Sequence, residues 1–204
     1  MKKLKYYLPL IIVVMTMVYV QSVNANWYAG NRRISSAYGF RANIATSVSA
    51  PYISNGLIAS WVSTPSGNWI QSGWVIYQGQ SSAQSYIETY VNGVYNISYK
   101  GTHSWNTSKN YSVDNLLGST NWCASINYVT YTPCVNLGFS STSTLQALSE
   151  IQGSSANVLD AKFSSVQYRD SAGNWHLNNQ SWWLENSPYK VNKTSASLYK
   201  TYGP

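Results

Sequence analysis

Two polar side chains stand where packing alone would favour apolar ones. Gln71 lies within "WIQSGW" (69–74), a run of aromatic and β-favouring residues in which valine would pack better. Glu150 lies within "ALSEIQ" (147–152) and interrupts a second run that could have been apolar. Brought face to face, a carboxylate and a carboxamide can hydrolyse an amide without metal or histidine. The carboxylate takes a proton from water as that water attacks the carbonyl, then returns it to the leaving amine. The carboxamide donates an N–H to the developing oxyanion while its C=O helps to hold the water. The plainer account of each residue is structural. A glutamine on a sheet usually bonds a neighbouring strand or water, and a strand glutamate usually lies on the wet face.

Other chemistries find little support. There is no G-x-S-x-G elbow. His103 and His176 lie in polar hairpin or loop contexts, a poor setting for a Ser–His–Asp or Cys–His arrangement. H-E-x-x-H, a phosphate-binding glycine loop and a calcium loop are all missing from the sequence. Cys123 and Cys134, the only cysteines, have no accompanying histidine for a zinc site. In a secreted chain they read as one disulfide across a short loop. No metal or cofactor is expected, and a hydrolase built from this chain must use carboxyl and amide groups.

The elements that would position such a pair are strands. In Trp69 to Tyr77, alternation puts Gln71, Gly73, Val75 and Tyr77 on one face and Ile70, Ser72, Trp74 and Ile76 on the core face. Gly73 beside Gln71 is expected to leave room for close approach to the amide. Around Glu150, Leu148 and Gln152 share its face, while Ala147, Ser149 and Ile151 take the other. "SYIETYVNGVYNISY" is the clearest hairpin, with Asn92-Gly93 as a type I′ turn. A second hairpin turns near Asp170 to Asn174. Further strands are expected around Gly39 to Ile44, Gly56 to Ser63, Ala124 to Thr130 and Thr144 to Gln152, and a longer loop over Trp105 to Ser119. The expectation is all-β: an antiparallel β-sandwich, jelly-roll or concanavalin-like, whose bent sheet offers one concave face to both side chains.

The order of several short motifs resembles the glutamic peptidases of the eqolisin family. The series is "NWYAG" (26–30), "SWVSTPSG" (60–67), "WIQSGW" (69–74), "YIETY" (86–90) and "ALSEIQGSSANVLDAKFSSVQY" (147–168). The related neprosin-like peptidases have a similar Gly-Trp ending on the central strand, with Glu where Gln71 stands. The resemblance implies that Glu150 matches the catalytic glutamate and Gln71 its partner. It also implies that Trp27 and Trp61 match cleft aromatics, Glu88 a supporting acid, and that the partner is a polypeptide. Three departures bear on substrate binding. "NWYAG" carries one extra residue, "WVSTPSG" lacks the family's aspartate, and the Trp–Glu context of the late glutamate is missing.

Composition bounds the rest. Lys2, Lys3 and Lys5, then the apolar run Leu8 to Val20 and the small-residue site Val23-Asn24-Ala25, read as a signal peptide over 1–25. Cleavage leaves 26–204 as a single secreted or surface-held domain, touching a membrane only if the segment is retained. Losing those three lysines lowers the formal charge from +7 to +4. The only adjacent basic pair within 26–204, Arg32-Arg33, does not suggest nucleic acid. Six carboxylates leave little to titrate, so the composition suits low pH. Sequons begin at Asn96, Asn106, Asn110, Asn179 and Asn192 and make glycosylation an open option. The alternative to a peptidase is a non-catalytic surface sandwich, either a carbohydrate-binding module or a filament or coat subunit contacting glycans or copies of itself. A detached N-terminal segment, Asn26 to Ser36, would favour the filament. A glycosidase pairing Glu88 with Glu150 is weaker still, because no "ExDxE"-like strand is present.

Overall fold

The computed structural model describes residues 26–64 and 67–204, so the signal segment expected over 1–25 lies outside the described residues. Fifteen strands, numbered in chain order, form two antiparallel sheets with no helix among the described residues. The first sheet runs β13 (Trp182–Glu185), β1 (Asn26–Arg33), β10 (Leu145–Gly153), β3 (Gly56–Ser63), β4 (Trp69–Tyr77), β5 (Ala83–Val91), β6 (Val94–His103). The second runs β14 (Lys190–Ser195), β15 (Leu198–Gly203), β11 (Leu159–Arg169), β2 (Gly39–Ala45), β7 (Ser108–Asn115), β8 (Asn121–Ile126), β9 (Val129–Asn136), with β12 (Trp175–Leu177) pairing β11.

Period-two alternation builds the main core between the sheets. Ile58, Val62, Ile70, Trp74 and Ile76 enter from the first sheet; Phe40, Ile44, Val113, Trp122 and Phe163 enter from the second. Each such burial is worth about 1.5–3 kcal/mol. The opposite face of the first sheet carries a smaller cluster of Ala59, Trp61, Val75, Tyr86 and Leu148. This is the face that bears Gln71 and Glu150.

Asn92 and Gly93 turn the β5–β6 hairpin with φ of 50° and 81°, as a type I′ turn requires. Two expectations need correction. The segment read as a loop over Trp105 to Ser119 contains β7, an interior strand between β2 and β8. Tyr111 and Val113 point into the core there, and the polar residues between them disguised the alternation. The single strand expected over Ala124 to Thr130 is a hairpin. It reverses at Asn127 and Tyr128, with φ of 49° and 66°. Cys123 on β8 and Cys134 on β9 are joined by a disulfide. The N-terminal segment is not detached either: β1 is hydrogen-bonded to β10 on one side and β13 on the other.

Candidate active site

Strand registry arranges the concave face of the first sheet in rows across the strands. One row is polar: Arg32 on β1, Gln146 on β10, Ser63 on β3, Gln71 on β4 and Glu88 on β5. The next is mostly apolar, with Leu148, Trp61, Gly73 and Tyr86 in line. A third places Tyr28 beside Glu150, then the small residues Ala59 and Val75. Small side chains in the middle and long ones at both ends leave a cavity of about 610 Å³ lined by all three rows.

Glu150 is held at one end by four donors. Its Oε1 accepts from Asn26 Nδ2 (3.2 Å), the Tyr28 hydroxyl (3.3 Å) and Gln152 Nε2 (2.7 Å). Among the described residues its Oε2 accepts only from Trp61 Nε1, at 3.3 Å, and so keeps capacity for a water.

Gln71, 7 % exposed, is held at the other end. Its Nε2 donates to Glu88 Oε2 at 2.8 Å and to the Tyr86 hydroxyl at 2.5 Å, which engages both amide hydrogens. Burial raises the Glu88 carboxyl above the ordinary glutamate range; the Tyr95 hydrogen bond opposes this and the charge of Glu150 adds to it. The Tyr86 phenol is pushed well above its usual range, chiefly by burial and then by the two carboxylates. It therefore stays protonated, accepts from Gln71 and keeps its own O–H for whatever enters the cavity.

Gln71 and Glu150 share the cavity but not a row. The β10 residue in line with Gln71 is Gln146, and Glu150 lies four residues further along. At about 3.3 Å per residue and 4.8 Å per strand, their Cα atoms are about 16 Å apart. The two side chains approach from opposite ends of a floor made by Trp61, and neither is the other's hydrogen-bond partner.

Among the other sequence-derived candidates, Trp61 and Glu88 line the cavity. Trp27 does not: it faces the main core and packs on Tyr189 at 6.3 Å between ring centroids. Alternation gives the cleft position to Tyr28, which "NWYAG" already contains one residue on. Tyr28, Tyr86 and Arg32 are cavity residues that the sequence reading missed. Tyr86 shares a face with Glu88 two residues away, a signal the strand pattern carried. Gly73 does not open space above Gln71, because a Cβ there would lie 2.7 Å from both Trp61 Cα and Cβ. Trp61 occupies that space. Of the sequons, Asn110 is buried at 6 % exposure and donates to Asn43 Oδ1 at 2.9 Å, so it is no glycan acceptor. Asn96, Asn106, Asn179 and Asn192 are exposed.

No protein-family model matches the chain, and neither does any curated protein. Solved structures do match. Scytalido-glutamic peptidase with a transition state analogue inhibitor superposes at a TM-score of 0.63 and 15 % identity, covering 88 % of this chain and 100 % of that one. The same peptidase with a peptide-based analogue gives 0.58, with the same identity and coverage. SCP-B, a member of the eqolisin family of peptidases, in complex with the tripeptide Ala-Ile-His gives 0.57 at 13 % identity, again covering 88 % and 100 %. The chain has the glutamic-peptidase fold. At such identity the glutamic-peptidase fold speaks for the backbone, and the roles of Glu150, Gln71 and their neighbours must rest on their own contacts.

Proposed function

We propose that the chain is a glutamic-type endopeptidase that binds a polypeptide across the concave face and hydrolyses it in acid without a metal. The observation that carries this reading is that Glu150, Trp61 and Gln71 open into one cavity on the concave sheet of a peptidase fold. In this reading Glu150, through the Oε2 that Trp61 leaves partly free, takes a proton from water. The water oxygen bonds to the carbonyl carbon, the C–N bond then breaks, and the proton passes to the leaving nitrogen. The oxyanion forms at the Gln71 end of the cavity. While Glu88 is ionised, both Gln71 hydrogens are engaged and the Tyr86 hydroxyl is the donor nearest to hand. In acid a protonated Glu88 can donate to the amide oxygen instead, which frees Gln71 Nε2 to join Tyr86 at the oxyanion. The reacting peptide group spans the Trp61 floor between the two ends. Secretion through residues 1–25 agrees with the Cys123–Cys134 disulfide, which belongs to an oxidising compartment.

Digestion of a denatured protein between about pH 2 and 5, with chelator present, tests the reading. Glu150→Gln and Gln71→Ala should each lower the rate by at least about a hundredfold. Full activity in either variant rejects the role assigned to that residue.

A further inference from the structure

We infer that Arg32, Gln146 and Ser63 form a carboxylate-binding subsite beside the reacting groups, an inference that rests on the peptidase reading above. The three residues are successive neighbours in one row: Arg32 pairs with Gln146, and Gln146 with Ser63, which in turn pairs with Gln71. Side chains so paired stand about 5 Å apart at Cβ on the same face. All three line the cavity.

Each one offers a donor that the protein does not use. Gln146 is 8 % exposed and Ser63 is 3 % exposed. Neither side chain hydrogen-bonds any described residue. The polar ends of both side chains open into the cavity, where a ligand can take up their hydrogen bonds without breaking any within the protein. Arg32 is the only Lys or Arg on the cavity wall among the described residues. It makes no ion pair among them; the guanidinium packs over the Trp182 ring at 5.3 Å, and its buried Nε has no hydrogen-bond partner. The neighbouring Arg33 also has an unpartnered Nε but differs in its facing. It points to the other face, where Nη1 donates to Asn178 and the guanidinium covers the Tyr168 ring at 3.5 Å.

The carboxylates already in the cleft do not satisfy Arg32. Glu88 is taken by Gln71 and Tyr95, and Glu150 by Asn26, Tyr28, Trp61 and Gln152. A guanidinium fork with an amide N–H and a hydroxyl beside it, and no acid paired to it, matches a carboxylate in charge and shape. Arg32 and Gln71 lie three strands apart, about 14 Å, which an extended peptide spans in about four residues. The ligand group is therefore an acidic side chain within about four residues of the cleaved bond, or the carboxylate that ends a short peptide.

Binding separates this inference from the peptidase reading. The probes are short unstructured peptides carrying one glutamate or one glutamine, each made as free acid and as C-terminal amide. Affinity for the Glu150→Gln chain is read by fluorescence anisotropy near pH 5.5, where free carboxyls are ionised. Carboxylate-bearing peptides should bind about tenfold tighter, and the internal and terminal arms show which source is recognised. The preference should vanish in Arg32→Gln, persist in reduced form in Arg32→Lys, and weaken in Gln146→Ala and Ser63→Ala. Melting curves confirm that each variant is folded, and the lysine variant keeps the test open if the glutamine variant is not. Equal affinity for all four peptides, or a preference that survives in Arg32→Gln, overturns the subsite and leaves the peptidase reading intact. Failure to bind any of them overturns both.

Discussion

Gln71 and Glu88 face each other directly across β4 and β5, with Nε2 2.8 Å from Oε2. An ionised Glu88 fixes which way the carboxamide points, because only the NH₂ end can meet it. A protonated Glu88 can instead donate to the amide oxygen and release the N–H groups. Burial raises this carboxyl, so it keeps its proton to higher pH than a free glutamate does. Activity should therefore fall as pH rises through the Glu88 titration. Glu88→Gln should remove or shift that limb of the kcat/KM profile, while leaving the acid limb in place. An unchanged profile excludes Glu88 from control of Gln71.

The same raised carboxyl has a stability consequence of defined sign. The folded state binds this proton more tightly than the unfolded chain, so the contribution is present in acid and is lost as pH rises through the folded-state value. Glu88→Gln should accordingly melt higher than the parent at neutral pH and show little difference near pH 3, as followed by thermal unfolding.

Trp61 and Trp27, equivalent on sequence, should fail differently. Trp61→Phe keeps a floor but loses the N–H that reaches Glu150 Oε2 at 3.3 Å. The expected result is a fall in kcat of about tenfold or more with a smaller change in KM. Trp27→Ala removes core packing and should cost about 3 kcal/mol of stability in urea unfolding. If Trp27→Ala instead spares the fold and abolishes turnover, the facing assigned to β1 is wrong.

His103 sets a limit on acid stability that the small number of carboxylates did not suggest. It is fully buried, bonded to the Tyr111 hydroxyl at 2.9 Å and to the Thr107 carbonyl at 3.2 Å. Burial, with the nearby Lys109 charge adding, pushes its imidazole down to about 4 from an ordinary 6.5. The unfolded chain takes up this proton first, so stability drops as pH falls through that window, by about 3 kcal/mol in all. The melting temperature should decline between those two values in the parent and stay flatter in His103→Gln. A parent curve that is already flat refutes the argument.

The disulfide lies on the second sheet, away from the cleft. Its cysteines are 11 residues apart, and closing so short a loop in the unfolded chain contributes about 3 kcal/mol. Replacing both cysteines by serine should lower the denaturant midpoint accordingly and leave turnover unchanged well below it.

Strands with unbroken alternation were legible in the sequence. Trp69–Tyr77 and Gly56–Ser63 have the bounds expected of them, and the faces assigned around Gln71 and Glu150 are the faces observed. Polar composition hid β7, whose outward residues read as a loop, and Tyr128 in a left-handed turn hid the β8–β9 reversal. The site was half legible for a related reason. Period two says which residues share a face, so it separates Gln71 from Trp74. It does not say which residues of different strands share a row. Registry decides that, and registry set Gln146 rather than Glu150 in line with Gln71.

Gly73 carries a final consequence. A Cβ at that position would lie 2.2 Å from the Ser60 carbonyl oxygen, so position 73 cannot carry a side chain of its own. The bed of the channel there is the indole of Trp61. Substrate range in this scaffold can therefore be regraded from that one ring or from the two banks, where long polar groups stand, and not from the strand that runs beside them.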